Sequence, residues 1–192
     1  MLAERGPAGV LVMDACRRLA LPLIVHFHGY DASVRKLLEE RAEAYREMFG
    51  RAAAIVAVSD AMRRKLISLG APPANVHLIP CGVDCAAFAR SDPAAAPPVL
   101  LAVGRFIEKK APHITIEAFS KAHRVVPEAR LRMVGDGPLL ADCRALAKTL
   151  GIGDAVAFLG AQPHAVVREE MRRARSFVQH SVEAPNGDCE GT

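Results

Sequence analysis

Short apolar runs alternate with helical patterns along almost the whole chain, and this alternation is the feature that most constrains the fold. Pro22–Gly29, Ala52–Asp60 and Asn75–Pro80 are nearly continuous apolar runs of the kind that form buried strands. The helical patterns between and around them span Ala8–Leu19, Ser33–Phe49 and Asp60–Leu69, and Gly70 stands where a helix-terminating glycine belongs. Buried strands joined by helices are typical of a parallel sheet covered on both faces. The sequence therefore predicts an α/β protein.

The alternation stops at Ala89–Pro98, a stretch rich in Pro and Ala, and then restarts. We therefore predict two Rossmann-like lobes, residues 1–90 and 99–192, joined by a linker at 91–98. The alternative is a single sheet of six or seven strands, which the Pro-rich break disfavours. The elements predicted after the break are strands within Val99–Phe106, Ala129–Pro138, Ala155–Ala161 and Ser176–Ser181, and helices at Pro112–Val125, Leu139–Leu150 and His164–Arg173.

Both ends of the pattern are abrupt. The chain is predicted to enter on a helix with no first strand, and no helix follows the last strand to cover it. We therefore expect both lobes to be incomplete. Incomplete sheets expose apolar edges and faces, so we expect the isolated chain to be poorly soluble and catalytically impaired.

Charge and cysteine content exclude several classes of protein. The net charge is +4, from 25 Lys and Arg against 21 Asp and Glu, which suits an anionic small molecule or a negative membrane surface better than tight binding to nucleic acid. The five cysteines form no C-x-x-C pair and complete no zinc set, so we expect free buried thiols in a reducing compartment. No apolar run reaches the roughly 18 residues needed to cross a bilayer. The chain is expected to be soluble and cytoplasmic.

Cations follow the strand that opens the second lobe. Gly104 ends the apolar run, Arg105, Lys109 and Lys110 come next, and a helix then begins at Pro112. Ligands of open parallel sheets bind at the carboxyl ends of the strands, where helix N-termini offer unpaired N–H groups. An arginine fork and a lysine at that edge could neutralise a diphosphate, although an ordinary basic loop remains the alternative.

Glycine loops follow the next two strands and are predicted to contact a nucleotide. The first is not a dinucleotide fingerprint, because Leu140 stands where the third glycine belongs, and no Walker sequence occurs. A nicotinamide dehydrogenase is therefore disfavoured. The residues assigned to these loops are Gly135, Asp136, Gly137, Leu159 and Gly160.

Carboxylates cluster after the last strand, where Glu183, Asp188 and Glu190 are available to hydrogen-bond sugar hydroxyls. In the first lobe, His28 follows a strand and is a candidate to donate a proton to a leaving phosphate, whereas His26 is expected to be a core residue. The sequence has no Asp-x-Asp and no histidine pair at ligand spacing, so we expect no metal and no cofactor.

The order of these motifs resembles glycosyltransferase family 4, the retaining enzymes of GT-B fold. The resemblance runs from about Gly6 to Thr192 through HGYD, VAVSDAM, IPCGVDCAAF, VGRFIEKKAP, MVGDGPL and HSVEAPNGDCEGT, and is closest to the colanic-acid and exopolysaccharide branch. It implies two Rossmann-like lobes facing a cleft. The nucleotide sugar would bind to the C-terminal lobe and the acceptor to the N-terminal lobe.

The resemblance also assigns individual residues. The phosphate-binding Arg and Lys of the family correspond to Arg105 and Lys110, and its first signature glutamate corresponds to Glu190, which would contact the donor sugar. His28 matches the family's N-terminal-lobe histidine less securely. Ala111 stands where the family has Gly, a departure expected to stiffen the loop slightly.

The function implied is transfer of a sugar from a nucleoside-diphosphate sugar to a glycan or lipid-linked acceptor, with retention at the anomeric carbon. The expected partners are therefore the nucleotide sugar and the acceptor, with no nucleic acid, and the resemblance allows peripheral contact with the inner face of the membrane. Two alternatives stay open: a nucleotide-sugar 2-epimerase of the same fold, and a non-catalytic nucleotide-binding module.

Overall fold

The computed structural model describes residues 1–88 and 91–191, which form two compact units, each built on its own parallel sheet. The first unit comprises residues 1–83 and 183–191, and the second comprises Asp84–Val182. Three residues lie outside the described part of the chain. Ala89 and Arg90 stand at the end of the predicted first lobe, where the Pro- and Ala-rich stretch begins, and Thr192 is the last residue of the terminal motif. Two separate sheets exclude the single-sheet alternative.

The first unit carries a sheet of order β1-β2-β3-β4 in which every neighbouring pair is parallel. Its strands are β1 (Leu2–Glu4), β2 (Ile24–Phe27), β3 (Ala54–Ala57) and β4 (Val76–Leu78). Its helices are α1 (Gly6–Arg18), α2 (Tyr30–Ser33), α3 (Arg35–Arg51) and α4 (Asp60–Ser68), with a 3-10 turn at Pro73–Asn75. Phe27, Tyr45 and Phe49 pack their rings together in the core, with centroids 5.7 to 6.0 Å apart.

The second unit carries a sheet of order β7-β6-β5-β8, again entirely parallel. Its strands are β5 (Val99–Val103), β6 (Arg130–Val134), β7 (Val156–Phe158) and β8 (Ser176–Phe177). Its helices are α5 (Pro112–Val125), α6 (Leu140–Thr149) and α7 (His164–Arg173), with 3-10 turns at Glu108–Lys110 and Gly153–Ala155. Two apolar clusters form its core, one around Phe106, Phe119 and Leu131 and the other around Leu101 and Val134.

Most of the predicted elements are present, and local signals explain where they end. Ser59 caps α4, because its side-chain oxygen accepts a hydrogen bond from the Met62 amide at 3.2 Å. Gly70 and Gly151 follow helices with φ of 104° and 70°, as expected of glycines that end a helix.

Two predictions about the first unit are corrected. The chain does not enter on a helix, because residues Leu2–Glu4 pair with β2 as a parallel strand. The helix predicted at Ser33–Phe49 begins at Arg35 and runs to Arg51, because Val34 adopts an extended conformation between it and the short helix α2.

The predicted domain boundary also differs from the observed units. Residues 183–191, assigned to the second lobe, group with the first unit because they hydrogen-bond to it, and residues 84–88 group with the second. Residues 91–98 contain no helix or strand and group with the second unit. Arg175 holds this segment by donating a hydrogen bond to the Ala96 carbonyl at 2.9 Å.

Two of the cysteines fit the expectation of buried thiols, and two do not. Cys16 and Cys143 are buried, and burial raises the pKa of the Cys143 thiol to about 11. Cys81 and Cys85 are exposed. Among the described residues, no helix is both long and apolar enough to span a membrane.

Candidate donor and sugar sites

Two cations lie at the carboxyl end of β5, as the sequence predicts. The aliphatic stem of Lys110 crosses Gly104, with carbons 3.6 to 3.8 Å from the position that a Cβ of that glycine would take. Arg105 is exposed, and its guanidinium forms no ion pair with any residue of 1–88 or 91–191. The neighbouring Lys109 is buried. Arg105 and Lys110 are therefore the two predicted cations that line this edge of the sheet.

Helix α5 begins directly behind this pair without a side-chain cap. Pro112 has no N–H group and the Ile114 amide donates to the Ala111 carbonyl at 3.0 Å, so the His113 amide and the positive end of the helix dipole are what favour an anion at this point. Ala111, which precedes the helix, is fully buried and left-handed at φ 43° and ψ 52°. This left-handed conformation favours glycine and costs alanine about 1–2 kcal/mol. Alanine is therefore a less favourable residue than glycine at position 111.

The loops after β6 and β7 lie against the β5 loop at the same edge of the sheet. The Gly135 amide donates a hydrogen bond to the Gly160 carbonyl at 2.8 Å. A Cβ on Gly135 would overlap the Gly104 carbonyl oxygen, and its φ of 136° is one that other residues rarely adopt. The structure therefore brings the glycines of three successive strand ends together, as the topology predicts.

The remaining predicted loop residues form contacts within the second unit. Asp136 is exposed, and its carboxylate accepts a hydrogen bond from the Gly137 amide at 2.7 Å. Its carbonyl accepts from the Phe106 amide at 2.9 Å, which ties the β5 and β6 loops together. Leu159 packs against the apolar cluster around Leu101 rather than presenting a polar group to a ligand.

A small pocket of about 30 Å³ lies among Gly104, Arg105 and Lys110. His180 also lines it, and the buried Nε2 of this histidine has no hydrogen-bond partner in the described part of the chain. Sequence reasoning missed His180. The signal was its place just beyond β8, because β8 pairs with β5 and so ends at the same edge.

In the first unit, Asp31 organises the loop that follows β2. Its buried carboxylate accepts hydrogen bonds from three backbone amides: Gly6 at 3.0 Å, His28 at 3.1 Å and Gly29 at 2.9 Å. Tyr45 donates to its backbone carbonyl at 3.0 Å. Asp31 therefore joins the start of α1 to the backbone on which His28 is carried.

The side chain of His28 hydrogen-bonds to the carboxylate of Glu4, which lowers the pKa of that carboxyl. The Nδ1 of His26 lies 3.5 Å from the same oxygen, and the two imidazole centroids are 4.1 Å apart. This cluster corrects the expectation that no histidine pair has ligand spacing. Glu4 was missed because it lies 24 residues from His28 along the chain.

The segment of residues 183–191, which includes Glu190, is attached to the first unit by hydrogen bonds. Arg35 donates from its guanidinium to Glu183 at 2.6 Å, and Ser59 donates from its hydroxyl to the Gly191 carbonyl at 2.5 Å. A Cβ on Gly191 would overlap the His28 carbonyl. The backbone beside Glu190 is thus packed onto the loop that carries His28.

A pocket of about 300 Å³ opens beneath this segment, and Glu190 lines it. Gly29, Met62, Lys65 and Arg35 line other parts of its wall. Two predicted residues, Glu190 and His28, therefore belong to the first unit, whereas Arg105 and Lys110 belong to the second.

Comparison with known families and proteins gives a consistent result. Residues 86–189 match the family described as glycosyl transferases group 1, and residues 3–87 match glycosyltransferase family 4. The chain is 31% identical to the putative colanic acid biosynthesis glycosyltransferase WcaL of Salmonella typhimurium, over 99% of this chain and 48% of that protein. It is 28% identical to the amylovoran biosynthesis glycosyltransferase AmsK of Erwinia amylovora, over 99% and 48%. The chain spans about half the length of the curated relatives it matches.

Solved structures show the same fold. HepE from Anabaena, crystallised with UDP and glucose, superposes with a TM-score of 0.79 at 20% identity, over 96% of this chain and 54% of that one. Sucrose-phosphate synthase from Thermosynechococcus elongatus superposes with a TM-score of 0.75 at 21% identity, over 96% and 50%.

Proposed function

Because this chain belongs to the group 1 glycosyltransferases of family 4, we propose that it serves to transfer a sugar from a nucleoside-diphosphate sugar to a glycan or lipid-linked acceptor. The names of the relatives direct this proposal to the assembly of an extracellular polysaccharide. The acceptor would be the growing glycan or its lipid carrier, which would bring the protein to the inner face of the membrane.

The observation that carries the proposal is the cationic edge of β5 in the second unit. Cleavage of the sugar–phosphate bond leaves negative charge on the departing diphosphate. Arg105, Lys110 and the uncapped start of α5 present positive charge at one place. A charge-assisted hydrogen bond contributes about 1.5–3 kcal/mol, so each side chain would stabilise the leaving group by roughly one to two powers of ten in rate or affinity.

We propose that diphosphate binding needs no metal ion, because these two side chains and the helix dipole supply the neutralising charge. Affinity for UDP or GDP should then be unchanged by EDTA. A fall in affinity that added Mg²⁺ restores would contradict this part of the proposal.

Retention at the anomeric carbon and the roles of Glu190 and His28 follow from the family resemblance and stay predictions. A carboxylate such as Glu190 can accept hydrogen bonds from two sugar hydroxyls, and His28 can donate a proton. Proton NMR of the product separates the alternatives: transfer with retention gives a glycoside of the donor's configuration, whereas a 2-epimerase releases an epimerised sugar.

Calorimetric titration of the chain with UDP and GDP tests the central part of the proposal. Arg105→Ala and Lys110→Ala should each weaken binding by about 10- to 100-fold, in line with the loss of one charge-assisted hydrogen bond. Arg130→Ala is the matched control, because Arg130 is an exposed arginine at the opposite end of the same sheet. Equal affinities in all three variants would refute the assignment.

A further inference from the structure

Three metal-binding side chains converge at the edge of the first sheet: Glu4, His26 and His28. The strand register explains why. Glu4 is the register partner of His26 on the neighbouring parallel strand, and His28 follows two residues after His26. Side chains two residues apart in an extended chain lie on the same face, so both imidazoles are directed to the carboxylate.

The donor atoms are close enough to share one ion. One oxygen or nitrogen from each residue lies within 4.8 Å of the other two, and Glu4 Oε2 is 3.5 Å from His26 Nδ1. Tetrahedral zinc with bonds of about 2.0–2.1 Å separates neighbouring donor atoms by roughly 3.3 Å. The spacing of Glu4 and His26 therefore fits such an ion already, whereas the hydrogen bond between Glu4 and His28 must open for the ion to enter.

The surroundings leave these atoms available. The Nε2 of His26 is buried without a hydrogen-bond partner among the described residues, so Nδ1 is the atom through which this ring interacts. The side chain of Glu4 is 58% exposed, which gives an ion a route from solvent. The adjacent cation Arg5 is directed onto the Tyr30 ring, with its guanidinium carbon 5.2 Å from the centroid.

We propose that Glu4, His26 and His28 bind a divalent zinc ion, with water as the fourth ligand. Two imidazoles and one carboxylate are ligands that zinc accepts in sites with an open position. The proposal concerns binding in the first unit alone, and it stands or falls independently of nucleotide binding.

The test is a zinc titration of the 192-residue chain in competition with a chromophoric chelator. Cys81 and Cys85 are replaced by Ser throughout, because two exposed cysteines four residues apart could bind zinc themselves. We expect one zinc ion per chain. Cobalt substitution should give the visible bands of a nitrogen and oxygen site, without sulfur charge-transfer bands in the near ultraviolet.

Two variants and one control decide the outcome. His26→Gln and Glu4→Gln should each weaken zinc binding at least about tenfold, since each removes a ligand. His77→Gln is the control, because His77 is an exposed histidine on β4 of the same sheet and should leave binding unchanged. Circular dichroism establishes that all three are folded. Absence of zinc binding by the parent chain, or equal binding by the three variants, would overturn the proposal.

Discussion

Replacement of Asp31 by Asn should destabilise the first unit strongly, although the change removes no volume. The carboxylate is fully buried and accepts three backbone amide hydrogen bonds, one at Oδ2 from Gly6 and two at Oδ1 from His28 and Gly29. In the Asn variant one oxygen becomes an NH₂ group. Whichever way the amide is oriented, at least one backbone N–H then faces another donor.

The magnitude follows from these three bonds. A buried donor left unsatisfied costs about 1–3 kcal/mol, and the bonds that remain lose the extra strength of a charged acceptor, a further 1–2 kcal/mol. We expect the free energy of unfolding to fall by about 3 kcal/mol, a large part of the 5–15 kcal/mol typical of a domain. The loop that carries His28 should loosen as well, because two of the lost or weakened bonds hold it.

Tyrosine fluorescence during urea unfolding measures this effect in the first unit alone. The protein has two tyrosines and no tryptophan, and both Tyr30 and Tyr45 lie in that unit. Asp14→Asn is the control in the same unit: Asp14 is exposed and its carboxylate accepts a hydrogen bond from Arg51 at the surface, so its substitution should cost little stability. A loss below about 0.5 kcal/mol for Asp31→Asn, or one equal to that of the control, would refute the reasoning.

Three further substitutions test other parts of the structure. Gly135→Ala should cost about 3 kcal/mol in urea unfolding followed by far-ultraviolet circular dichroism, because the residue has a φ of 136° and its new Cβ would overlap the Gly104 carbonyl. Gly50→Ala should have the opposite effect, because Gly50 lies in helix α3 and no atom lies within 4 Å of the position that a Cβ would take. We expect the free energy of unfolding to rise by about 0.5–1 kcal/mol, and a fall would contradict the helical position of this residue. Glu170→Gln should cost about 2 kcal/mol at pH 7, because Glu170 forms two hydrogen bonds with Arg132 at 2.5 and 2.7 Å. Arg132 lowers the pKa of Glu170 below its ordinary value of 4.5. The pair therefore contributes its full stabilisation above pH 4.5 and loses it as the pH falls through the folded-state pKa of Glu170. A stability difference between the parent and Glu170→Gln that persists at about pH 2 would contradict the ion pair.

The sequence predicts those features of the fold that depend on neighbouring residues. Helices α5 and α7 begin and end at the predicted residues, because Pro112 and the Pro163 before His164 mark their starts. Strand β1 was missed because its three residues contain one buried side chain, Ala3, and no periodicity can be recognised over so short a stretch.

The two candidate sites differ in how far sequence could define them. The cationic edge was predictable, since Arg105 and Lys110 follow a strand and the topology of parallel sheets fixes where such loops lie. The pairing of Glu4 with His28 depends on the register between strands, which sequence alone does not fix. The attachment of residues 183–191 to the first unit depends on contacts such as Ser59 to Gly191, which lie 132 residues apart.

A crystal structure of the chain with a bound nucleoside diphosphate tests the central claim most directly. The account predicts phosphate oxygens within hydrogen-bonding distance of the Arg105 guanidinium and the Lys110 ammonium group, in front of the amino-terminal end of α5. A nucleotide bound elsewhere, with both side chains pointing into bulk solvent, would contradict it.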